Sequence, residues 1–403
     1  MCAKPLNHNV PQQSARSWIR SVVLAVNPLK TQNVRHMHAA PEAPAPDGRT
    51  APLHIPSLDG LRAVSFLIVF LAHSGISVVP GGFGVTIFFY LSGFLITTLM
   101  RMERDKTGTV NLGHFYLRRA LRILPPFYLI LLMAIGLTLL NFLPGKLDPT
   151  VLLIQSLHVS NYWFIWHGSD GAPIGTVPYW SLAVEEHFYL VFPMLYLGLN
   201  RLLRRHTQAK VLLAFCAVVC IWRCILVGVL GATSDRTYMA SDTRFDSIFF
   251  GCALAIGMNP VLDAPFGSDR LWKWLLLPGA LALLILTFAY RAEWFRETIR
   301  YTLQGIALTP VFVSVMRFPE WGAFRLLNTK PVAFVGLLSY SLYLLHQVAL
   351  FLIGYQFPSL HSVPRSILAL LASLIIATAI HYAVEKPSAR ARKRLARSAA
   401  GAA

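Results

Sequence analysis

Two basic side chains in the first long apolar stretch of the sequence are spaced so that they share one face of a helix. Arg62 and His73 are eleven residues apart, which at 100° per residue lies about 20° from three full turns and gives about 16 Å of rise. An ionisable side chain in such a stretch is stable only where it faces protein or a water-filled cavity. The pair therefore indicates an interior path with a guanidinium at one end and an imidazole, a proton acceptor near neutral pH, further in.

A second basic cluster precedes another apolar stretch. Arg119 and Arg122 are three residues apart, so a helix places them on one face, and Arg118 lies beside them. Anchoring of cytoplasmic helix ends by Lys and Arg explains such a cluster without any ligand. Phosphate binding is the alternative, because guanidinium groups match phosphate oxygens in geometry. If Arg62, Arg119 and Arg122 act together, an acyl-CoA has the right shape, with its phosphates at the arginines and its thioester near His73.

Carboxylate and hydroxyl groups also occur where lipid would exclude them. Glu185 lies at the entrance of a later apolar stretch, one helical turn before Tyr189. A carboxylate there could hold a sugar hydroxyl, orient His73, or form a structural ion pair with a buried arginine. Ser92, inside the second stretch, could carry a transient acyl group and so divide the reaction into two steps.

Two more polar clusters fall inside apolar stretches. Arg244 and Asp246 begin the sixth stretch and could pair with each other or with groups across a helical bundle. Ser339, Tyr343 and His346 lie at positions i, i+4 and i+7 and form one polar stripe, which must face the interior of the bundle. His346 is therefore a second candidate for proton transfer.

The composition identifies lipid as the solvent of most of the chain. Of 403 residues, 55% are apolar and 13% are charged, against about 25% charged residues in an ordinary soluble domain. The expected fold is an all-α, polytopic transmembrane helical bundle of about ten spans, each long enough to cross about 30 Å of hydrocarbon. The predicted spans lie near residues 62–79, 82–100, 123–143, 185–200, 211–231, 245–260, 272–290, 301–316, 333–356 and 366–384.

The net charge of +18 is distributed in short blocks between the apolar stretches. No aromatic ladder accompanies these blocks, as it would in a protein that binds single-stranded nucleic acid, so nucleic acid is not an expected partner. With the N-terminus in the cytoplasm, the inner loops and tail contain 21 Lys and Arg residues and the outer loops 7. The positive-inside rule then predicts that both termini are cytoplasmic. The expected location is the cytoplasmic, or inner, membrane.

Three regions of the chain differ in composition. Residues 1–56 are expected to form a flexible basic leader, residues 57–388 the membrane domain, and residues 389–403 a basic cytoplasmic tail. The segment 144–184 is the longest predicted outer loop, and a loop of that length is usually functional. Residues 151–157 within it are apolar and could enter the membrane without crossing it.

Two other patterns carry no function in this sequence. Cys216, Cys220 and Cys224 recur every four residues within one apolar stretch, which is typical of packing residues, and the sequence has no metal-binding motif. His54 and Asp59 match the HxxxxD pattern of glycerolipid acyltransferases, in which the histidine is a base. A chain with thirteen histidines often contains such a match by chance, so we discount it.

Taken in order, these segments resemble acyltransferase family 3, a family of integral membrane O-acyltransferases. Arg62 and His73 have the family's Arg-x10-His spacing, and the pair Arg119-x-x-Arg122 follows. The resemblance extends from about Ile55 to Pro387. The other matching segments are Ser57-Leu-Asp-Gly-Leu-Arg-Ala, Phe88-Phe-Tyr-Leu-Ser-Gly-Phe-Leu-Ile, Trp180-Ser-Leu-Ala-Val-Glu-Glu-His-Phe-Tyr, Arg244-Phe-Asp-Ser, Ser339-Tyr340-Ser-Leu-Tyr-Leu-Leu-His346 and Glu385-Lys-Pro.

The resemblance implies an enzyme that moves an acyl group, with acetyl as the simplest case, from cytoplasmic acyl-CoA to a hydroxyl of an extracytoplasmic or lipid-linked glycan. Acyl-CoA is then a co-substrate, and no permanently bound cofactor is expected. The expected catalytic residues are His73 and Glu185, and the expected donor-binding residues are Arg62, Arg119 and Arg122. The other candidate site residues are Ser92, Trp180, Arg244, Asp246, Tyr340 and His346.

A transporter or flippase for a sugar or a lipid-linked glycan is the alternative class. Interior Arg, Glu and His side chains also line transport paths. The two halves of the sequence lack the matched pair of interrupted helices that many transporters contain. An arginine and an imidazole in line along one helix favour the enzyme.

Overall fold

The computed structural model describes residues 55, 57–76 and 80–392, and every regular element in these ranges is helical. The predicted leader, apart from Ile55, and residues 393–403 of the predicted tail lie outside the described residues. The helices are α1 Leu58–His73, α2 Gly81–Thr107, α3 Leu112–Leu139, α4 Pro149–Ser156, α5 Ser160–His167, α6 Trp180–Leu202, α7 Arg205–Gly228, α8 Ser234–Met239, α9 Ser241–Gly257, α10 Asp269–Ala289, α11 Glu293–Glu297, α12 Arg300–Arg317, α13 Phe324–Leu327, α14 Lys330–Gln356 and α15 Ser362–Arg392.

Each of the ten predicted spans overlaps one of the longer helices. In the described part of the chain, seven helices are long and apolar enough to cross a membrane, namely α2, α3, α6 with the turn before it, α7, α10, α14 and α15. The other three, α1, α9 and α12, are shorter or more polar. The all-α transmembrane bundle is confirmed in this form, while ten crossings and cytoplasmic termini stay predictions.

The end of α1 differs from the sequence-based prediction. The predicted span continued to residue 79, but the helix ends at His73, and residues 77–79 lie outside the described part. The amide of Ile76 donates to the carbonyl of Leu71, and that of Gly75, with φ +86°, donates to the carbonyl of Ala72. These two bonds form a Schellman motif, in which a glycine in the left-handed region stops a helix. His73 therefore lies at a helix end, where its ring can face a cavity.

Small residues allow two pairs of helices to pack closely. A Cβ on Gly93 of α2 would lie 2.0 Å from the carbonyl oxygen of Ile248 on α9, and one on Gly251 of α9 would lie 2.1 Å from that of Tyr90. On α14, a Cβ at Gly336 would lie 1.8 Å from a carbonyl oxygen of α1. Close approach at small residues drives helix association in lipid, where the hydrophobic effect between helices is absent. Packing of α14 against both α1 and α15 sets the geometry of the site described below.

The predicted outer segment 144–184 contains two short helices, α4 and α5. The apolar residues 151–157 lie mostly within α4, which has eight residues and is about 12 Å long, too short to cross a bilayer. The buried Gln155 side chain donates to the hydroxyl of Thr176 over 2.9 Å. A Cβ on Gly175 would lie 2.6 Å from the backbone nitrogen of Val348, so this segment packs directly onto α14.

Candidate active site

A cavity with about 860 Å³ of space lies between α1, α2, α3, α6 and α14. Its charged lining consists of three arginines and two glutamates, so that the site carries a net positive charge. We name it the arginine cavity. Its polar lining residues are Arg62, Ser92, Arg119, Arg122, Ser181, Glu185, Glu186, Tyr189, Ser339, Tyr340 and Tyr343.

The three arginines of α3, Arg118, Arg119 and Arg122, differ in their partners. Arg118 donates to the carboxylate of Glu103 over 2.6 Å. Arg119 and Arg122 have no carboxylate within 4.0 Å in the described part of the chain, and both line the arginine cavity. Helix anchoring accounts for Arg118, whereas Arg119 and Arg122 are available to an anionic ligand.

The remaining contacts of the arginines are weak. The guanidinium carbon of Arg119 lies 5.8 Å from the ring centroids of both Phe115 and Tyr189. The nearest ion-pair contact of Arg62 is with Asp59, at 3.5 Å. This contact also gives Asp59 a partner other than His54, which lies outside the described residues. Ligand phosphates would therefore compete with few existing hydrogen bonds.

The carboxylate of Glu185 belongs to the same cavity and does not contact His73. It accepts a hydrogen bond of 2.9 Å from the hydroxyl of Tyr189, one turn further along α6. The hydroxyl of Ser92 lies 3.3 Å from that of Tyr189. Ser92 has no imidazole partner among the described hydrogen bonds that could activate it as a nucleophile.

The two histidines that the sequence singles out lie against each other. Nδ1 of His73 is 2.9 Å from Nε2 of His346, and the rings stack with centroids 5.1 Å apart. Nδ1 of His346 is 2.6 Å from the carbonyl oxygen of Tyr343. Because a carbonyl only accepts, Nδ1 of a neutral His346 carries the proton and its Nε2 accepts from Nδ1 of His73. Nε2 of His73 is then left unprotonated and can act as a base.

A second cavity lies on the far side of this pair. It has about 910 Å³ of space and is lined by His73 but not by the residues of the arginine cavity. We name it the histidine cavity. Its lining residues are His73, Ser74, Pro144, Ile174, Gln347, Leu350, Phe351, Gly354, Tyr355, Arg365 and Ser366.

One turn of α14 separates the two cavities. Tyr343 lines the arginine cavity and Gln347 the histidine cavity, and His346 between them is fully buried. The hydroxyl of Tyr343 lies 2.7 Å from that of Ser181. The predicted polar stripe of α14 thus does face the interior, and it forms the thin wall between the cavities.

Three other predicted site residues belong to the packed interior and line neither cavity. Asp246 pairs with Arg223 of α7 at 2.6 Å, and both side chains have zero exposure. The guanidinium of Arg244 lies 4.2 Å from the ring centroid of Tyr301. Trp180 is buried among other aromatic rings. Arg244 and Asp246 were expected to pair either with each other or with groups across the bundle. In the structure both contact groups on other helices.

Sequence reasoning missed two arginines. Arg223 is a single charge in the apolar stretch 211–231, and that isolation was a sufficient signal for an interior partner. Arg365 is the fourth residue of α15 and lines the histidine cavity. In the sequence it falls in the predicted outer loop 357–365, so only the fold reveals its position.

Comparison with known proteins agrees with this geometry. A family model described as an acyltransferase domain, Acyl_transf_3, matches residues 55–382. The chain therefore belongs to this acyltransferase family, and the resemblance inferred from its motifs is confirmed. Together with the seven apolar helices, family membership identifies an integral membrane protein of an acyltransferase family.

Relatives with curated descriptions are O-acetyltransferases of bacteria. The chain is 30% identical over 355 residues to the peptidoglycan O-acetyltransferase OatA of Listeria monocytogenes, which covers 83% of this chain and 56% of OatA. It is 33% identical over 313 residues to the putative peptidoglycan O-acetyltransferase YrhL of Bacillus subtilis, covering 73% and 48%. A putative O-acetyltransferase of Staphylococcus aureus is 28% identical over 311 residues, covering 73% and 50%. The chain spans about half the length of these relatives, and no solved structure matches it significantly.

Proposed function

We propose that this protein transfers an acyl group, with acetyl as the leading case, from acyl-CoA to a hydroxyl group of a glycan. One observation carries the proposal. Arg62, near the start of α1, lines a cavity together with Arg119 and Arg122, which have no carboxylate within 4.0 Å in the described part of the chain, and His73, at the other end of α1, forms a hydrogen-bonded pair with His346. The names of the relatives support acetyl as the group and a peptidoglycan strand as the leading acceptor.

The donor binds in the arginine cavity. Arg62, Arg119 and Arg122 hold the phosphates of CoA, because charge-assisted bonds from guanidinium groups to phosphate oxygens are strong and directional. Glu185 and Glu186 of α6 line the same cavity. Glu185 is therefore a donor-side residue in this proposal. His346 takes the role of orienting His73, which the sequence analysis had offered to Glu185.

The base is His73. Its Nε2 takes the proton of the acceptor hydroxyl as the hydroxyl oxygen attacks the thioester carbonyl, which forms the ester bond and breaks the C–S bond. The proton then passes from His73 to the departing thiolate, so that the products are the O-acyl glycan and free CoA thiol. His346 keeps His73 in the productive tautomer by accepting from its Nδ1, and no charge is left on either ring at the end of the cycle.

The thioester must pass the wall between the cavities to reach His73. The Tyr343–Ser181 contact is the hydrogen bond that has to open for a pantetheine arm to enter. A two-step route through an acyl group on Ser92 is the alternative, since Ser92 lines the arginine cavity. Trapping with radiolabelled acetyl-CoA separates the routes, because only the second gives a labelled protein that Ser92→Ala abolishes.

The same proposal orients the protein in the inner membrane. The blocks of Lys and Arg support cytoplasmic termini, and the ten apolar stretches support ten crossings. In this orientation the arginine cavity opens to the cytoplasm and the histidine cavity to the far side. The acceptor is then an extracytoplasmic or lipid-linked glycan, and the residues 1–56 and 389–403 are the leader and tail of one membrane domain.

A reconstituted assay tests the function. The full chain in lipid nanodiscs is given acetyl-CoA and a peptidoglycan glycan strand, and both the free CoA thiol and the acetylated strand are measured. We expect free thiol and acetylated strand in equal amounts. Without the glycan, thiol should be released at a much lower rate. No thiol release in nanodiscs, together with movement of the glycan across the membrane of vesicles that contain the protein, would identify a carrier and overturn the proposal.

A further inference from the structure

The histidine cavity contains one side chain with a permanent charge. Among its lining residues in the described part of the chain, Arg365 is a guanidinium and none is a carboxylate. A neutral sugar acceptor requires hydroxyl and amide partners but no cation. The positive charge of this cavity therefore indicates an anionic ligand.

The position of Arg365 is determined by the packing of α14 against α15. The side chain lies over Gly354 of α14, where a Cβ would be 3.5 Å from both Cδ and Nη1 of the arginine. The residue is half-buried and has no carboxylate within 4.0 Å in the part of the chain that the structure describes. A guanidinium that is partly removed from water without an ion-pair partner favours an anion strongly.

Of the other polar groups of the cavity, the two serine hydroxyls are already bonded, whereas Gln347 and Tyr355 offer only neutral donors. The hydroxyl of Ser74 donates to the carbonyl of Phe70, and the hydroxyl of Ser366 donates to that of Ser362. Both hydroxyls are therefore committed to their own helices. The N-terminal end of α15, close to Arg365 in sequence, adds further positive potential.

Resting on the proposed function, we propose that Arg365 binds an anionic group of the acceptor and so positions its hydroxyl at His73. The acceptor is then an acidic glycan, with a carboxylate or phosphate near the acylated hydroxyl. The anion is either a carboxylate on a sugar or the diphosphate of a lipid carrier, since a guanidinium binds both. Arg365 acts on specificity and positioning, and His73 performs the chemistry.

Three acceptor probes of equal sugar length separate these sources. They are a neutral N-acetylglucosamine oligomer, an oligomer with a carboxylate on every second sugar, and a neutral oligomer linked to a polyprenyl diphosphate. Wild type should acetylate at least one anionic probe with a KM well below that of the neutral probe. The probe with the low KM identifies the source of the anion.

The variants Arg365→Gln and Arg365→Lys then test the residue, with Arg291→Gln, an exposed arginine outside the cavity, as a matched loss of charge. We expect Arg365→Gln to raise the KM of the preferred anionic acceptor about 10- to 100-fold, the usual cost of losing a hydrogen bond to a charged group. The KM for acetyl-CoA should stay unchanged, and the loss with the neutral probe should be much smaller than with the anionic one. Arg365→Lys should recover part of the loss, and Arg291→Gln should match wild type.

Two results would overturn the inference. One is equal KM values of wild type for neutral and anionic probes; the other is an Arg365→Gln variant impaired equally with all probes, which indicates a structural role. In both cases acetyl transfer itself persists in wild type, so the proposed function stands. If wild type acetylates none of the probes and releases no CoA thiol, the proposed function fails and the inference fails with it.

Discussion

The two cavities share a wall one helical turn thick but differ in charge and in chemistry. The arginine cavity has three arginines and two glutamates, and no histidine lines it in the described residues. The histidine cavity has His73 and Arg365 and no carboxylate among its described lining residues. The difference suggests a division of labour in which one side binds the donor by its phosphates and the other receives the acceptor hydroxyl.

The two sides also differ in how their key groups are held. Arg119 and Arg122 have no ion-pair partner among the described residues. This is expected for side chains that bind a donor which dissociates after each reaction. His73 is fixed by a chain of two hydrogen bonds that ends on the carbonyl of Tyr343. Binding tolerates some freedom, but proton transfer requires a defined geometry.

The largest expected effect is on the histidine side. His73→Ala removes the only imidazole nitrogen that faces the acceptor in the proposed mechanism, and we expect kcat for glycan acetylation to fall about 100- to 10,000-fold. His73→Gln fills a similar volume without a basic nitrogen and should be equally inactive. Normal turnover in either variant, measured with saturating acetyl-CoA and glycan, would eliminate His73 as the base.

A smaller loss is expected from the residue behind His73. His346→Ala leaves the Nδ1 hydrogen of His73 without its acceptor, and we expect kcat to fall about 10- to 100-fold with little change in either KM. His346→Gln keeps an acceptor oxygen near that position and should retain more activity than the alanine variant. If both variants lose activity in parallel with their melting temperature, His346 has a packing role alone.

On the arginine side the expected effect is on binding. Arg119→Gln and Arg122→Gln should each raise the KM for acetyl-CoA about 10-fold, because each removes a charge-assisted bond to phosphate. Arg118→Gln is the matched control, since Arg118 lies on the same helix and is already paired with Glu103. An equal rise of KM in all three variants would indicate general attraction by surface charge.

The smallest effect concerns an arginine with a permanent partner. Arg101 donates to Asp263 in the loop after α9, and this bond holds the pKa of the Asp263 carboxyl below its usual range. The pair therefore stabilises the fold above the ordinary carboxyl pKa, near 3.9, and this contribution is lost as the pH falls through the lowered value.

Asp263→Asn should lower the melting temperature at pH 7 by on the order of 1 °C, since the carboxylate is partly exposed. The difference from wild type should shrink progressively as the pH falls below the ordinary carboxyl pKa. Asp235→Asn, at an exposed position without an ion pair among the described residues, is the control and should show no such change. A difference that does not decrease as the pH is lowered would exclude ionisation of Asp263 as its origin.

Much of this arrangement is encoded locally. Apolar length predicted every long helix, and the 3.6-residue period placed Arg62 with His73 and predicted the polar stripe of α14. The end of α1 was also encoded, in the pair Ser74-Gly75, but the long apolar stretch outweighed that signal. A glycine after a polar residue deserves more weight as a helix stop, even inside a hydrophobic stretch.

Other features depend on contacts that no local pattern contains. His346 follows His73 by 273 positions, and only the packing of α14 on α1 brings them together. Packing between helices also forms the ion pair of Asp246 and Arg223. It likewise gives Arg118 a carboxylate partner and Arg119 none among the described residues. Spacing along one helix shows which side chains share a face, but it does not show which face meets which partner.

Equilibrium binding of CoA to purified variants tests the division between the cavities most directly. The account predicts that His73→Ala binds CoA as wild type does, while the triple variant with Gln at Arg62, Arg119 and Arg122 loses measurable binding. The contrary result, with CoA binding lost in His73→Ala and retained in the triple variant, would contradict it.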